Sequence, residues 1–130
     1  RYDGKKRNPW NEIECGSNYA RAMASFALLP IFSGFTCDLP HRSMGFAPVV
    51  PGDFCSMWNT GTSWGQVKRI GASYEITVAS GSLTLNVLRL GGVGRVRRVT
   101  ADGCDIAFVQ QGETLRLNDV VVRHALRIEV

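Results

Sequence analysis

The sequence predicts an α+β, mainly β fold: one N-terminal amphipathic helix, about residues 17–33, followed by an antiparallel β-sandwich-like module of hairpins. Three observations predict it. Apolar residues recur at three- and four-residue steps between Ser17 and Ser33, the period of one helix face. From Ala72 onward apolar and polar residues alternate, the period of half-buried strands. The alternating runs are separated by Ser80-Gly81, Asp102-Gly103 and Asn118-Asp119, residue pairs that tolerate positive φ. The chain therefore divides into a loop and helix (1–34), an aromatic-rich connecting region (35–71) and an antiparallel β module (72–130).

Pro9 and Asn8 place the segment before Trp10 in a loop, because proline disfavours helix in the residue ahead of it. Ser17 is the expected N-cap, its hydroxyl accepting from a backbone N–H of the first turn. Tyr19, Met23, Phe26, Ala27, Pro30 and Ile31 form the apolar face, expected to pack as a core helix. Pro30 is expected to end the regular α pattern near Leu29 or to kink its last turn, and Gly34 to close the helix in the left-handed conformation.

Between Phe35 and Gly71 prolines and glycines break the chain repeatedly, yet Phe35, Phe46, Phe54, Trp58 and Trp64 demand burial somewhere. Phe54–Trp58 and Trp64–Ile70 read as short strands joined by the polar turn Asn59–Ser63. Three hairpins are expected after that: Tyr74–Val78 with Leu83–Val87, Val96–Ala101 with Cys104–Val109, and Glu113–Leu117 with Val122–Val130, the last turning at Asn118-Asp119.

Composition excludes several function classes. A 45% hydrophobic and 20% charged chain has globular proportions, and no apolar run approaches the roughly 18 residues of a membrane span. The net charge of +4 is scattered over Lys5, Lys6, Arg7, Arg95, Arg97, Arg98, Arg123 and Arg127, not gathered into the stripe that nucleic acid requires. Cys15, Cys37, Cys55 and Cys104 form no Cys-x-x-Cys pair, and His41 and His124 stand far apart, so no zinc spacing is present. Reduced, buried thiols are the expectation. The chain opens at Arg1 inside a motif and carries no signal peptide; a fragment of a longer, cytoplasmic protein is expected.

The candidate functional residues lie ahead of the first helix. Glu12 and Glu14 precede the helix start, at the positive end of its dipole, and Arg21 projects from its first turns. As a hydrolase pair the two glutamates fail, because residues two apart in an extended loop point to opposite sides.

The run Arg1-Tyr2-Asp3-Gly4-Lys5-Lys6-Arg7, then Asn8-Pro9-Trp10-Asn11-Glu12-Ile13-Glu14-Cys15-Gly16, then Tyr19-Ala20-Arg21-Ala22-Met23-Ala24-Ser25, resembles the end of the catalytic domain of the non-lysosomal glucosylceramidases, also called bile-acid β-glucosidases (glycoside hydrolase family 116). The resemblance continues more loosely through Ser33-Gly34-Phe35 and Gly45-Phe46-Ala47-Pro48. It implies that residues 1–34 close an (α/α)6-type catalytic barrel whose glutamate nucleophile and aspartate acid/base both lie upstream of this chain. It implies also that Glu12 and Arg21 bind hydroxyls of the glucosyl ring. On that reading the chain is a C-terminal fragment of a β-glucosidase, inactive alone, with no cofactor and no metal; its partners are a glucoside or glucosylceramide-type substrate and the remainder of the catalytic domain. The competing expectation is a freestanding carbohydrate-binding or structural β-sandwich, in which Trp58 and Trp64 form a sugar platform.

Overall fold

The structure, a computed structural model, describes residues 25–130. A single 3-10 turn, Ser25–Ala27, leads into helix α1, Leu28–Ser33, and eleven strands follow. They are β1 (Thr36–Asp38), β2 (Ser43–Phe46), β3 (Phe54–Asn59), β4 (Trp64–Ile70), β5 (Ser73–Ser80), β6 (Leu83–Leu90), β7 (Arg98–Ala101), β8 (Cys104–Asp105), β9 (Val109–Gln111), β10 (Thr114–Val122) and β11 (Ala125–Glu129). A five-stranded sheet has the order β1-β2-β6-β10-β9, and a six-stranded sheet the order β3-β4-β5-β11-β7-β8. Every pairing is antiparallel except β2 with β6, which is parallel. This is the mainly β, sandwich-like class read from the sequence.

The two sheets bury their inner faces in one cluster. Met44, Phe46, Leu85, Leu88, Leu90, Leu115 and Val122 come from the five-stranded sheet; Trp58, Val67, Ile76, Val99, Leu126 and Ile128 come from the other. Each such side chain stabilises the fold by about 1.5–3 kcal/mol relative to exposure. The aromatic-rich segment supplies Phe46 and Trp58 to this core, and Phe35 packs beside Phe46 with ring centroids 5.4 Å apart. Residues 35–71 are thus built into the sandwich rather than linking to it.

Two expected hairpins are not formed. β5 and β6 alternate as predicted, but β5 pairs with β4 and β11 while β6 pairs with β2 and β10. The link at Gly81 (φ 79°) carries the chain from one sheet to the other, and a Cβ there would collide with the Thr62 carbonyl. Likewise Asn118-Asp119 is not a turn. β10 runs through it as one strand, with a register shift between Arg116 and Val120. Asp119 takes φ 50°, gives its N–H to Asn86 Oδ1 at 2.7 Å and pairs with Arg42 at 2.6 Å. The bulge restores the alternation, so that Leu115 and Leu117 before it and Val120 and Val122 after it are all buried. The Asp102-Gly103 turn is as expected: both residues have positive φ, 51° and 86°, and β7 pairs with β8 across them.

Gly65 stands inside β4, the strand expected over Trp64–Ile70, opposite Trp58. A Cβ at this position would overlap the Thr77 carbonyl oxygen and reach 3.0 Å from the Trp58 indole. Glycine here makes room for the largest side chain of the core. The thiols also differ from expectation: Cys37, Cys55 and Cys104 are free and exposed, because β1, β3 and β8 are all edge strands.

Candidate functional site

Glu12 and Arg21, with Glu14, Cys15 and the expected helix start at Ser17, lie outside the described residues. The first helix of the described residues, α1, is held at its C-terminal end. α1 ends in a Schellman motif: Gly34, at φ 59° and ψ 30°, donates to Ile31 O at 3.4 Å, and Phe35 donates to Pro30 O at 3.1 Å. Gly34 serves a second purpose, since a Cβ would run into the backbone of Ala47. The remaining C-terminal carbonyls are taken up by the loop that leaves β2: Ala47 N–H donates to Ser33 O at 3.0 Å and Val49 N–H to Phe32 O at 3.1 Å. The helix is fastened to the sandwich by its end. Pro30 stands in the first turn of α1, where a missing N–H costs little, and the α pattern continues past it to Ser33.

The helix does not pack as a core element. Phe26 is 76% exposed and Ile31 58%, and Leu28, Leu29 and Phe32 are about half exposed. Only Ser33 is buried, its hydroxyl donating to Leu29 O at 2.8 Å. The reason is geometric: the two sheets already cover each other's inner faces, so the sandwich has no vacant apolar face to offer a helix. Beneath α1, against β3, lies an apolar cavity of about 180 Å³ lined by Phe26, Leu29, Pro30, Ser33, Phe35, Met57 and Asn59. That volume falls short of the roughly 300–1,000 Å³ of a small-molecule site and suits one or two inserted side chains.

The other clefts are held by satisfied charges. Arg69 lines a cleft of about 390 Å³ with Val50 and Gly52, but its guanidinium is spent on their two carbonyls. A cleft of about 530 Å³ contains Arg97, Arg98, Asp105, Phe108 and Glu129. There Arg98 and Asp105 are bonded at 2.6 Å, which raises the guanidinium pKa and holds the carboxyl below its ordinary range. His41 and Asp38 form an exposed pair at 2.8 Å. The neighbouring Cys37 thiol is raised by burial and by the Asp38 charge, so it is the opposite of an activated nucleophile. Among the described residues no group of three or more His, Cys, Asp or Glu side chains is arranged to hold a metal, and no helix is long and apolar enough to cross a membrane.

The two tryptophans part company. Trp58 is fully buried and its Nε1 has no hydrogen-bond partner among the described residues. Trp64 faces outward and is half exposed. The paired sugar platform expected of Trp58 and Trp64 is therefore not formed. What the sequence reading missed is the outward apolar surface of α1; its signal was present, since Leu28, Leu29, Ile31 and Phe32 make the helix apolar on nearly every side. Compared with models of known protein families and with curated proteins, the chain matches none.

Proposed function

We propose that this chain is the C-terminal part of a glycoside hydrolase resembling the non-lysosomal glucosylceramidases, and that it supplies glucosyl-binding residues but not the catalytic carboxylates. The Asn-Pro-Trp-Asn-Glu motif and the downstream arginine give the reading its chemistry. The observation that carries it furthest is the solvent-facing apolar helix directly downstream of that motif, with a side-chain-sized cavity beneath it. An apolar surface of this kind marks a seat for another protein element; the remainder of the catalytic domain is the partner proposed for it.

Glu12 would accept hydrogen bonds from two sugar hydroxyls and Arg21 would donate to a third, both charge-assisted. Their part in turnover is positioning: the ring is held so that an upstream nucleophile and acid meet the anomeric carbon. The exposed free thiols Cys37, Cys55 and Cys104 suit a reducing compartment. The test has two arms. The isolated chain should release no chromophore from a β-glucoside, and turnover above buffer would overturn the assignment. In the enzyme that carries the upstream barrel, Glu12→Ala should lower kcat/KM by about a hundredfold or more, the loss of a charged contact made to the reacting ring; an unaffected variant removes Glu12 from the pocket.

A further inference from the structure

The outer face of the six-stranded sheet carries a second candidate site that needs neither Glu12 nor Arg21. Trp64 stands there in a cross-strand row with Asn59 and Ser80, and the next row is Met57, Gln66 and Thr77. Cross-strand neighbours on one face are about 5 Å apart, and residues two apart in a strand about 7 Å, so Asn59 and Gln66 flank Trp64 on two sides. Asn59 Oδ1 accepts the Gly61 N–H at 2.6 Å, which fixes the amide and leaves its NH2 to donate outward. The Gln66 carboxamide makes no hydrogen bond among the described residues. In a chain of net charge +4, neither row carries a charged side chain. Charge begins only in the third row, where Lys68 lies beside Glu75, and Glu75 is paired with Arg127 at 2.8 Å.

From this arrangement we infer that the Trp64 face binds a neutral oligosaccharide. An exposed indole offers the electron-rich ring face on which the C–H groups of a pyranose stack, and it is apolar on its faces while tolerating water at its edge. The flanking amides and hydroxyls supply both donors and acceptors for ring hydroxyls. The absence of charge matches an uncharged ligand and disfavours an anionic glycan or nucleic acid, each of which would seek cations beside the aromatic ring. Met57 and Asn59 also line the cavity beneath α1, so the sugar-facing part of this surface is the side of Trp64 turned toward Gln66, Thr77 and Ser80.

The test is titration of the 130-residue chain with cellohexaose and maltohexaose, followed by calorimetry and by tryptophan fluorescence. Saturable binding of at least one is expected. Trp64→Ala should weaken it by about tenfold or more, equivalent to about 1.4 kcal/mol, with the melting temperature unchanged, and Gln66→Ala should weaken it less. Absence of binding to both probes overturns the inference, as does a Trp64→Ala variant that binds like the parent. Sedimentation at rising concentration separates the remaining case: self-association abolished by Trp64→Ala, with no sugar bound, would make this face a protein interface instead. Failure here leaves the Glu12 experiment intact, because that one reads turnover and this one reads binding by the chain alone.

Discussion

Asp102 and Ala125 are bonded to each other twice. The Asp102 N–H donates to Ala125 O at 2.8 Å, and the Ala125 N–H donates to Asp102 Oδ1 at 2.9 Å. The same carboxylate also accepts the N–H groups of Arg123 and His124, both at 2.8 Å. A residue held at positive φ in the β7–β8 turn thereby fixes the corner at which the chain passes from β10 in one sheet to β11 in the other.

Replacing Asp102 with Ala should therefore destabilise the chain by about 0.5–1.5 kcal/mol, the net worth of exposed hydrogen bonds whose donors water can satisfy in its place. Asn, which also tolerates positive φ, should cost less. The pH dependence follows in sign. Desolvation at the corner pushes the carboxyl upward, but the N–H donors of Ala125, Arg123 and His124 together outweigh it and hold its pKa below the usual 3.8. A depressed folded value contributes stability that is present above the unfolded pKa and is lost as pH falls through the folded one. Urea midpoints of wild type and Asp102→Ala should converge on acidification below that range; a constant gap would separate the corner from the carboxylate's charge.

Gly65 should not tolerate a methyl group. Its added Cβ would meet the Thr77 backbone carbonyl and press on the Trp58 indole, which is sealed in the core. Overpacking of this kind costs about 1–3 kcal/mol or more, so Gly65→Ala should lower the denaturation midpoint clearly. A second substitution checks the cause. Trp58→Phe in the Gly65→Ala background relieves the indole contact, though not the overlap with the Thr77 carbonyl, and removes an indole N–H with no partner among the described residues, so only a small part of the loss should return. Strict additivity of the two changes would mean that the residues do not act through each other.

The longer strands were legible in the sequence, and so were two pairings, β3 with β4 and β7 with β8; the other partners were not. Alternation in Tyr74–Val78 and Leu83–Val87 specifies which side chains turn inward, and both runs do bury them; it says nothing about which strand lies alongside. Hence two links that resemble turns are instead a crossing between sheets and a bulge, since the residues that tolerate positive φ are shared by all three structures. The mixed parallel pair of β2 and β6 has no local signature at all. For the candidate site, the sequence named Glu12 and Arg21 by resemblance, and the periodicity that made Phe26 and Ile31 look like core residues was real. Their exposure follows from the sandwich being closed without them, which only the tertiary arrangement reveals.

Cys37 should be a sluggish thiol. Desolvation by burial raises its pKa above 9.0, and the adjacent Asp38 charge raises it further. At neutral pH its alkylation by iodoacetamide, followed by peptide mass mapping, should run slower than that of a free cysteine peptide, because the thiolate is the reacting form. Asp38→Asn removes one of the two causes and should speed it. Labelling at the peptide rate, unchanged by that substitution, would contradict the assignment.

The core between the sheets and the surface of α1 are both apolar, but only the first is sealed from water. Leu126 is fully buried between the sheets, and Leu126→Ala should cost about 2–5 kcal/mol. Leu29 and Phe32 are as apolar but half exposed, and replacement of each by Ser should cost the isolated chain only about 1 kcal/mol, since only about half of their surface is removed from water by folding there. If α1 is the seat of the remaining catalytic domain, the same two substitutions should matter more when that domain is present, lowering its melting temperature and the yield of folded enzyme. Chemical denaturation of the chain and of the longer protein, with identical variants, measures both. Equal and small effects in both contexts would mean that nothing packs on α1, and the apolar helix would lose its explanation as an interdomain surface.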